Sequence, residues 1–348
     1  MNRLRKAPSV RPVWLAAWGV VVIAAVAALA GIVAGQGAAS VSKARFEHPR
    51  LKRGTLTVNG TNADDRIALR LKAGDREILQ VDVGDDGSAD FSFKRKHIVR
   101  IAVDARAGND RVRMDEANGA FTDNIPTTID GGDGNDTLAG GVGVETLLGG
   151  EGNDSLDGNG GNDLALLGAG DDTFVWDPGD GSDTVEGEAG ADAMVFNGAG
   201  AAEQVDLTAN GRRLRFFRNP GAVTMDTAGV ERVDFNALGG ADLVTVNDLG
   251  GTDVQAVNVD LAAALGGTAG DGQIDRVVVN GTDGEDAISV TGDSSEIKVS
   301  GLVPGTALFQ PEATDHLEIN TLVGRDSVDA SDIAAGAIQL FVDGVLVQ

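Results

Sequence analysis

The sequence predicts an all-β chain built as a solenoid of short stacked coils, preceded by one hydrophobic helix. Three observations predict it. A nine-residue repeat fills residues 131–195, alternating apolar and polar segments bounded by Gly, Asn and Asp lie on both sides of it, and the run Val13–Gly35 is apolar and uncharged. The 348 residues include 50 Gly and only 4% aromatics. That leaves little for a large conventional core, whereas narrow β-coils filled by Val, Leu, Ile and Ala need few aromatics. The chain divides by composition into residues 1–39 (signal peptide or membrane anchor), 50–130 (β-rich degenerate repeats), 131–195 (the nonapeptide array) and 196–348 (β-rich degenerate repeats).

The first of these segments is set by its hydropathy. Residues 1–12 carry Arg3, Arg5, Lys6 and Arg11, and the apolar run that follows is long enough to span a bilayer. Small residues come next (Gly37, Ala38, Ala39, Ser40), so an export signal cleaved there and a retained anchor both fit. Basic residues flank the run on both sides, with Lys43, Arg45 and Arg50 after it, and charge asymmetry does not choose between the two.

Residues 50–130 alternate as strands do, in Leu56-Thr57-Val58 and Ile67-Ala68-Leu69, with Asn59-Gly60 and Gly84-Asp85-Asp86-Gly87 as turns. The short basic run Lys94-Arg95-Lys96-His97 reads as a solvated strand edge.

The array itself reads GGDGNDTLA, GGVGVETLL, GGEGNDSLD, GNGGNDLAL and LGAGDDTFV, then, after Trp176 and Asp177, PGDGSDTVE and GEAGADAMV. Gly holds the fourth place of every copy. An acid holds the sixth: Asp136, Glu145, Asp154, Asp163, Asp172, Asp183, Asp192. An apolar residue holds the eighth: Leu138, Leu147, Leu156, Ala165, Phe174, Val185, Met194. The glycines permit tight turns with φ > 0. Their carbonyls and the sixth-place carboxylate make a hard, all-oxygen donor set, which suits Ca²⁺ rather than Zn²⁺ or copper. The eighth-place residue begins a short strand and points inward, and only stacked turns bury such residues in a continuous column. A Gly- and Asp-rich linker has no reason to keep an apolar residue in phase with the acid.

This array resembles the hemolysin-type, or RTX, calcium-binding repeat GGxGxDxUx. The resemblance implies a parallel β-roll in which one coil takes two nonapeptides, with Ca²⁺ between turn n and turn n+2. It places Asp136, Asp154 and Asp172 on one edge, and Glu145, Asp163 and Asp183 on the other. The implied metal ligands are Gly132, Asp133, Gly134, Asp136, Gly150, Glu151, Gly152, Asp154, Gly161, Asp163, Gly168, Gly170, Asp172, Asp183 and Asp192. The second copy departs from the pattern with Val144 and Glu145, so the Asp136 edge is expected to bind better. The Trp176–Asp177 insertion puts the stacking of the last two copies in question.

A weaker form of the turn persists outside the array. NGTNADDRIAL (59–69) matches NGTDGEDAISV (280–290), and VDFNALGGADLVTVNDL (233–249) matches LEINTLVGRDSVDASDI (317–333). In these segments, and in 101–112, an acid precedes an apolar residue by two: Asp65, Asp110, Asp242, Asp286, Asp326. They read as structural coils with at most weak Ca²⁺ sites.

The formal net charge of −25 argues against nucleic acid as a partner and favours cations. With no Cys, there are no disulfides and no thiol chemistry. HExxH, GxSxG and P-loop patterns are missing, and His48, His97 and His316 are isolated in sequence. The expectation is an exported, calcium-binding, non-catalytic structural or interaction module, at the cell surface or outside the cell. Its only expected cofactor is Ca²⁺, and its protein or polysaccharide partner is unknown. A polysaccharide-active β-helix enzyme, or a fragment of an adhesin or toxin, stays open as an alternative. Trp176 is expected to pack rather than to form a sugar platform.

Overall fold

A computed structural model describes residues 46–348. The expected N-terminal helix, and with it the signal or anchor, lies outside the described residues. Among those residues no helix is long and apolar enough to cross a membrane. Two long sheets, one of 15 strands and one of 14, lie side by side, and most neighbouring strands are parallel. The alternation of inward apolar and outward polar residues, with a turn every few residues, leaves the chain no other way to bury its apolar face.

In the array each coil gives one strand to each sheet. Thr127–Asp133, Glu145–Glu151, Leu164–Ala169 and Thr184–Ala189 belong to the first sheet. Thr137–Ala139, Ser155–Asp157, Thr173–Trp176 and Ala193–Asn197 belong to the second. Thr146 pairs with Leu164, and Ser155 with Thr173, so one coil is two nonapeptides. The eighth-place residues stack in register: Leu147 on Ala165 on Val185 in one sheet, and Leu138 on Leu156 on Phe174 on Met194 in the other. All of them are buried.

The Trp176–Asp177 insertion does not break the stack. Leu164 pairs with Thr184, and Thr173 with Ala193, both in parallel. The extra residues fall at the end of the strand Thr173–Trp176 and in the turn before Thr184, so the turn takes up the added length and the paired strands keep their register. Trp176 is fully buried, stacks on Phe196 at 3.9 Å between ring centroids, and donates its indole N–H to the Gly181 carbonyl (2.9 Å). Phe196 in turn packs on Phe216. An aromatic belt therefore fills the wider coils that follow the array.

The expectation of a parallel stack needs one amendment. Antiparallel excursions interrupt both sheets. In the first sheet, Gln204–Asn210, Arg213–Asn219 and Val223–Ala228 form an antiparallel meander. In the second, Ala287–Gly292, Glu296–Ser300 and Gly305–Phe309 do the same. Parallel stacking resumes after each, for instance between Gln204–Asn210 and Leu243–Val246.

The coil spacing is set by bare backbone. Gly152 has φ +121°, and a Cβ there would strike the Gly134 carbonyl oxygen of the coil before. Gly152→Ala therefore meets both a backbone conformation that side chains avoid and a backbone atom that cannot yield. We expect it to cost roughly 1–3 kcal/mol, read as a lower melting temperature in saturating calcium. Gly200→Ala, where a Cβ meets open space, should melt like the unaltered protein.

Candidate calcium sites

Each sixth-place acid stands immediately before a strand or, for Glu145, at its first position, at the seam where the chain passes from one sheet to the other. The acids of alternate nonapeptides stack there. The backbone N–H of Asp136 donates to Asp154 Oδ1 (2.7 Å), that of Asp154 to Asp172 Oδ1 (2.7 Å), and that of Asp172 to Asp192 Oδ1 (2.9 Å). On the other seam Glu145 N–H donates to Asp163 Oδ1 (2.7 Å), and Asp163 N–H to Asp183 Oδ1 (2.8 Å). The two edges that the resemblance implies are thus two ladders of buried carboxylates, each acid 3% exposed or less.

One oxygen of every rung is engaged by this ladder or by its own turn, and the other is not. Asp136, Asp154, Asp163, Asp172, Asp183 and Asp192 each leave Oδ2 buried without a hydrogen-bond partner, and Glu145 leaves Oε1 so. A buried acceptor with no donor costs on the order of 1–3 kcal/mol, more when charged. A row of them asks for a cation. The second donor class lies beside them. A Cβ on Gly149 would sit 2.6 Å from Asp154 Oδ2 and against the Leu167 carbonyl. One on Gly131 would press on Asp136 Oδ2 and sit 2.6 Å from the Gly149 carbonyl. Among the described residues no three His, Cys, Asp or Glu side chains are grouped to hold a metal. An ion here would be held by one or two carboxylates completed by backbone carbonyls, the oxygen-rich, adaptable shell of Ca²⁺.

The other residues expected as ligands fall into two groups. Gly132, Gly134, Gly150, Gly152, Gly161, Gly168 and Gly170 all have positive φ and line the turns. In the first-edge turns, positive φ falls four and two residues before the acid. Asp133 and Glu151 are exposed at strand ends. The second copy does depart in backbone: Gly141 and Gly143 are not in the positive-φ region. Glu145 Oε2 instead accepts the Gly141 N–H (2.8 Å), and Thr122 Oγ1 accepts those of Val142 and Gly143 (each 3.0 Å).

Asp110, which reads in sequence as the acid of a weaker copy, belongs fully to the first ladder, since its N–H donates to Asp136 Oδ1 (2.7 Å) and its own Oδ2 is a buried orphan. Its signal was Gly108-Asn109-Asp110, a fourth-to-sixth-place triplet. Two further features have no counterpart among the expected ligands. The first-place glycines, Gly131 and Gly149, touch the carboxylates more directly than several of the expected ligands do. A second ladder runs in the fifth place: Asn135 N–H donates to Asn109 Oδ1, Asn153 N–H to Asn135 Oδ1, and Asp171 N–H to Asn153 Oδ1 (2.9, 2.8 and 3.0 Å). The fifth-place Asn and Asp residues carried that signal.

Outside the array most ladder acids are satisfied by protein. Thr282 donates its N–H and hydroxyl to the two oxygens of Asp286 (2.8 and 2.9 Å). Asp315 accepts the N–H groups of Asp275 and Glu312 (3.1 and 2.7 Å). Glu203 is met by a cation of the chain itself, with Arg218 Nε at 2.5 Å from Oε1 and a second contact from Nη2 to the same oxygen.

Burial raises the array carboxyls, and the neighbouring acids raise most of them further. Glu145, Asp110 and Asp154 are pushed up to about 7, Asp163 to about 8, Asp183 and Asp192 to about 6. Asp136 and Asp172 shift the same way. Loss of water is the largest cause in each, opposed by the backbone N–H each accepts.

Fold and site together define a calcium-type β-roll, with stacked nonapeptide coils and a buried acid ladder along each seam. The family described as RTX calcium-binding nonapeptide repeat (4 copies) matches residues 128–144, 140–174 and 179–198. Residues 128–198, about a fifth of the chain, are RTX calcium-binding repeats of the hemolysin type. No curated protein matches this chain.

Two outcomes follow from the ladder. A raised carboxyl favours the folded state when protonated, so the calcium-free roll is most stable below the ordinary carboxyl range and loses stability as pH rises through about 6–8. Circular dichroism in chelator should show more β-structure at pH 5 than at pH 8.5, while calcium affinity by calorimetry should be weaker at pH 5 than at pH 8.5, because protons compete for the same carboxylates. Asp154→Asn removes an acid flanked by two others in the regular ladder, and Glu145→Gln one from the departing turn. The first should lose more calcium affinity and cooperativity in the same titration; equal losses would refute the difference between edges.

Proposed function

We propose that this chain is an exported, non-catalytic module that calcium folds and staples outside the cytoplasm, where it serves a structural or interaction role. The observation that carries the reading is the row of buried carboxylates, each with one oxygen that no protein group engages. Without a cation these charges sit in adjacent coils and repel. With one, the carbonyls and carboxylates around each turn are drawn together, and binding free energy becomes folding free energy. Calcium is here a structural ligand rather than a reactant. Affinities in the range of extracellular modules, about 10⁻⁴–10⁻³ M, would keep the array unfolded inside a cell and folded outside it.

Export is supported by the sequence of residues 1–39, with its basic start, its apolar run and the small residues after it. The absence of catalysis is supported by what the acids and the described Trp do. The ladder acids of the array are committed to the seams, and Trp176 is packed in the core, unlike an aromatic platform for sugar.

Circular dichroism of the full chain at neutral pH tests the folding step. Adding millimolar calcium after exhaustive chelation should increase the β signal cooperatively. An unchanged spectrum would refute calcium-driven folding. Deleting residues 1–35 should retain the chain in the cytoplasm of the cell that makes it, read by fractionation. Appearance of the truncated chain outside the cell would refute export through that segment.

A further inference from the structure

The acid ladder of the first sheet does not end with the matched repeats. It resumes beyond the antiparallel meander with Glu203, Asp242, Asp275 and Asp315, each immediately before a strand. Glu203 N–H donates to Asp242 Oδ1 (2.7 Å), Asp242 N–H to Asp275 Oδ1 (2.9 Å), and Asp275 N–H to Asp315 Oδ1 (3.1 Å). The rungs are not equivalent. Glu203 has Arg218 on Oε1 and the Ala199 N–H on Oε2 (3.1 Å). Asp315 has an N–H on each oxygen.

Asp242 differs from both. It is 3% exposed, and its Oδ2 is a buried orphan, as in the array. The charges that bear on it are those of Asp275, Glu203 and Asp271, all acidic. The nearby guanidinium, Arg218, is already spent on Glu203. Asp271 ties the two turns together, accepting the N–H of Gly240 on Oδ2 and that of Gln273 on Oδ1 (each 2.7 Å).

The backbone before Asp242 also follows the first-edge turns of the array. Before Asp136, Asp154 and Asp172 the residues four and two positions earlier both have positive φ: Gly132 and Gly134, Gly150 and Gly152, Gly168 and Gly170. Before Asp242 those places are Leu238 at +67° and Gly240 at +117°. A leucine held in the left-handed region is strained, yet the turn keeps the course of a calcium turn. The turns before Glu203, Asp286 and Asp315 do not follow that course, and neither does the departing turn before Glu145, so the unpartnered oxygen is the mark that counts.

We infer that Asp242, with Asp275 of the next coil and backbone carbonyls of the turn, holds a divalent cation of the calcium class at a site outside the nonapeptide array. Arg218 separates the two, because its guanidinium supplies at Glu203 the positive charge that a metal supplies elsewhere. The inference rests on the reading that this chain's carboxylate-and-carbonyl turns bind calcium.

The test counts calcium at saturation by equilibrium dialysis for the full chain, Asp242→Asn and Asp286→Asn. Asparagine at 242 keeps the oxygen that accepts the Glu203 N–H and removes the charge. We expect Asp242→Asn to bind one ion fewer per chain and Asp286→Asn to bind as many as the unaltered protein, both with unchanged β signal in calcium. An unchanged count in Asp242→Asn, as a merely protonated carboxyl would give, overturns the site. Equal losses in both variants also overturn it, since ladder position rather than the unpartnered oxygen would then decide. An unaltered chain that binds no calcium would overturn the calcium reading as a whole, before the variants are compared. If Asp242→Asn does not fold, crystals of the unaltered protein soaked in Mn²⁺ decide the matter. An anomalous peak within bonding distance of Asp242 Oδ2 supports the site, and its absence there overturns it.

Discussion

The structure depends on a hydrogen bond that a carboxylate accepts from the coil before it. Placing an acid in the interior is unfavourable unless its oxygens are engaged. Here one oxygen of nearly every ladder acid takes the N–H of its counterpart one coil earlier, which also satisfies a backbone donor that the turn would otherwise leave buried. Strand register, turn shape and the position of the unpartnered oxygens all follow from that bond. The apolar columns supply the burial, and the acid ladder holds the turns of successive coils in phase with them.

The same bond separates two ways of completing a rung. Where the turn offers its own donors, as Thr282 does for Asp286, the carboxylate is satisfied without help. Where no donor of the turn reaches the second oxygen, as along both seams of the array, a cation is needed. At Glu203 the chain supplies that cation as Arg218, buried beside Trp176 with its guanidinium 5.2 Å from the ring centroid. Removing one partner of such a buried pair is expected to be strongly destabilising, so this rung is a fixed joint between regions of different calcium demand.

The array was legible in the sequence because its signals are local and periodic. Nine-residue spacing marks the inward residues and the acids, and the resemblance to RTX repeats implies their division between two seams. What stayed hidden depends on long-range pairing. Asp110 was seen as a weak copy because Arg106 stands where the array has glycine, yet Arg106 takes φ +79° and the turn keeps its course. Trp176–Asp177 reads as a break in the period, because whether a turn can take up two residues is known only once the strands on either side are seen to pair. The antiparallel meander of residues 204–228 is made of ordinary alternating segments, and nothing within them says that three such strands fill the place of one. The N-terminal segment, read from hydropathy alone, lies outside the described residues.

The fifth-place and sixth-place ladders run in opposite senses. A coil's buried N–H donates forward, to the acid of the next coil, while its exposed fifth-place N–H donates back, to the amide or acid of the previous one. The two ends of the first seam therefore need different closures. Asp64 supplies the side-chain acceptor at one end, for Asn109, and Glu231 supplies the carboxylate at the other, for Asp192. Neither closure depends on how many coils stand between them. Such a roll can gain or lose a whole coil by duplication or deletion without redesign of its caps, and its length is free to drift over generations while its ends stay the same.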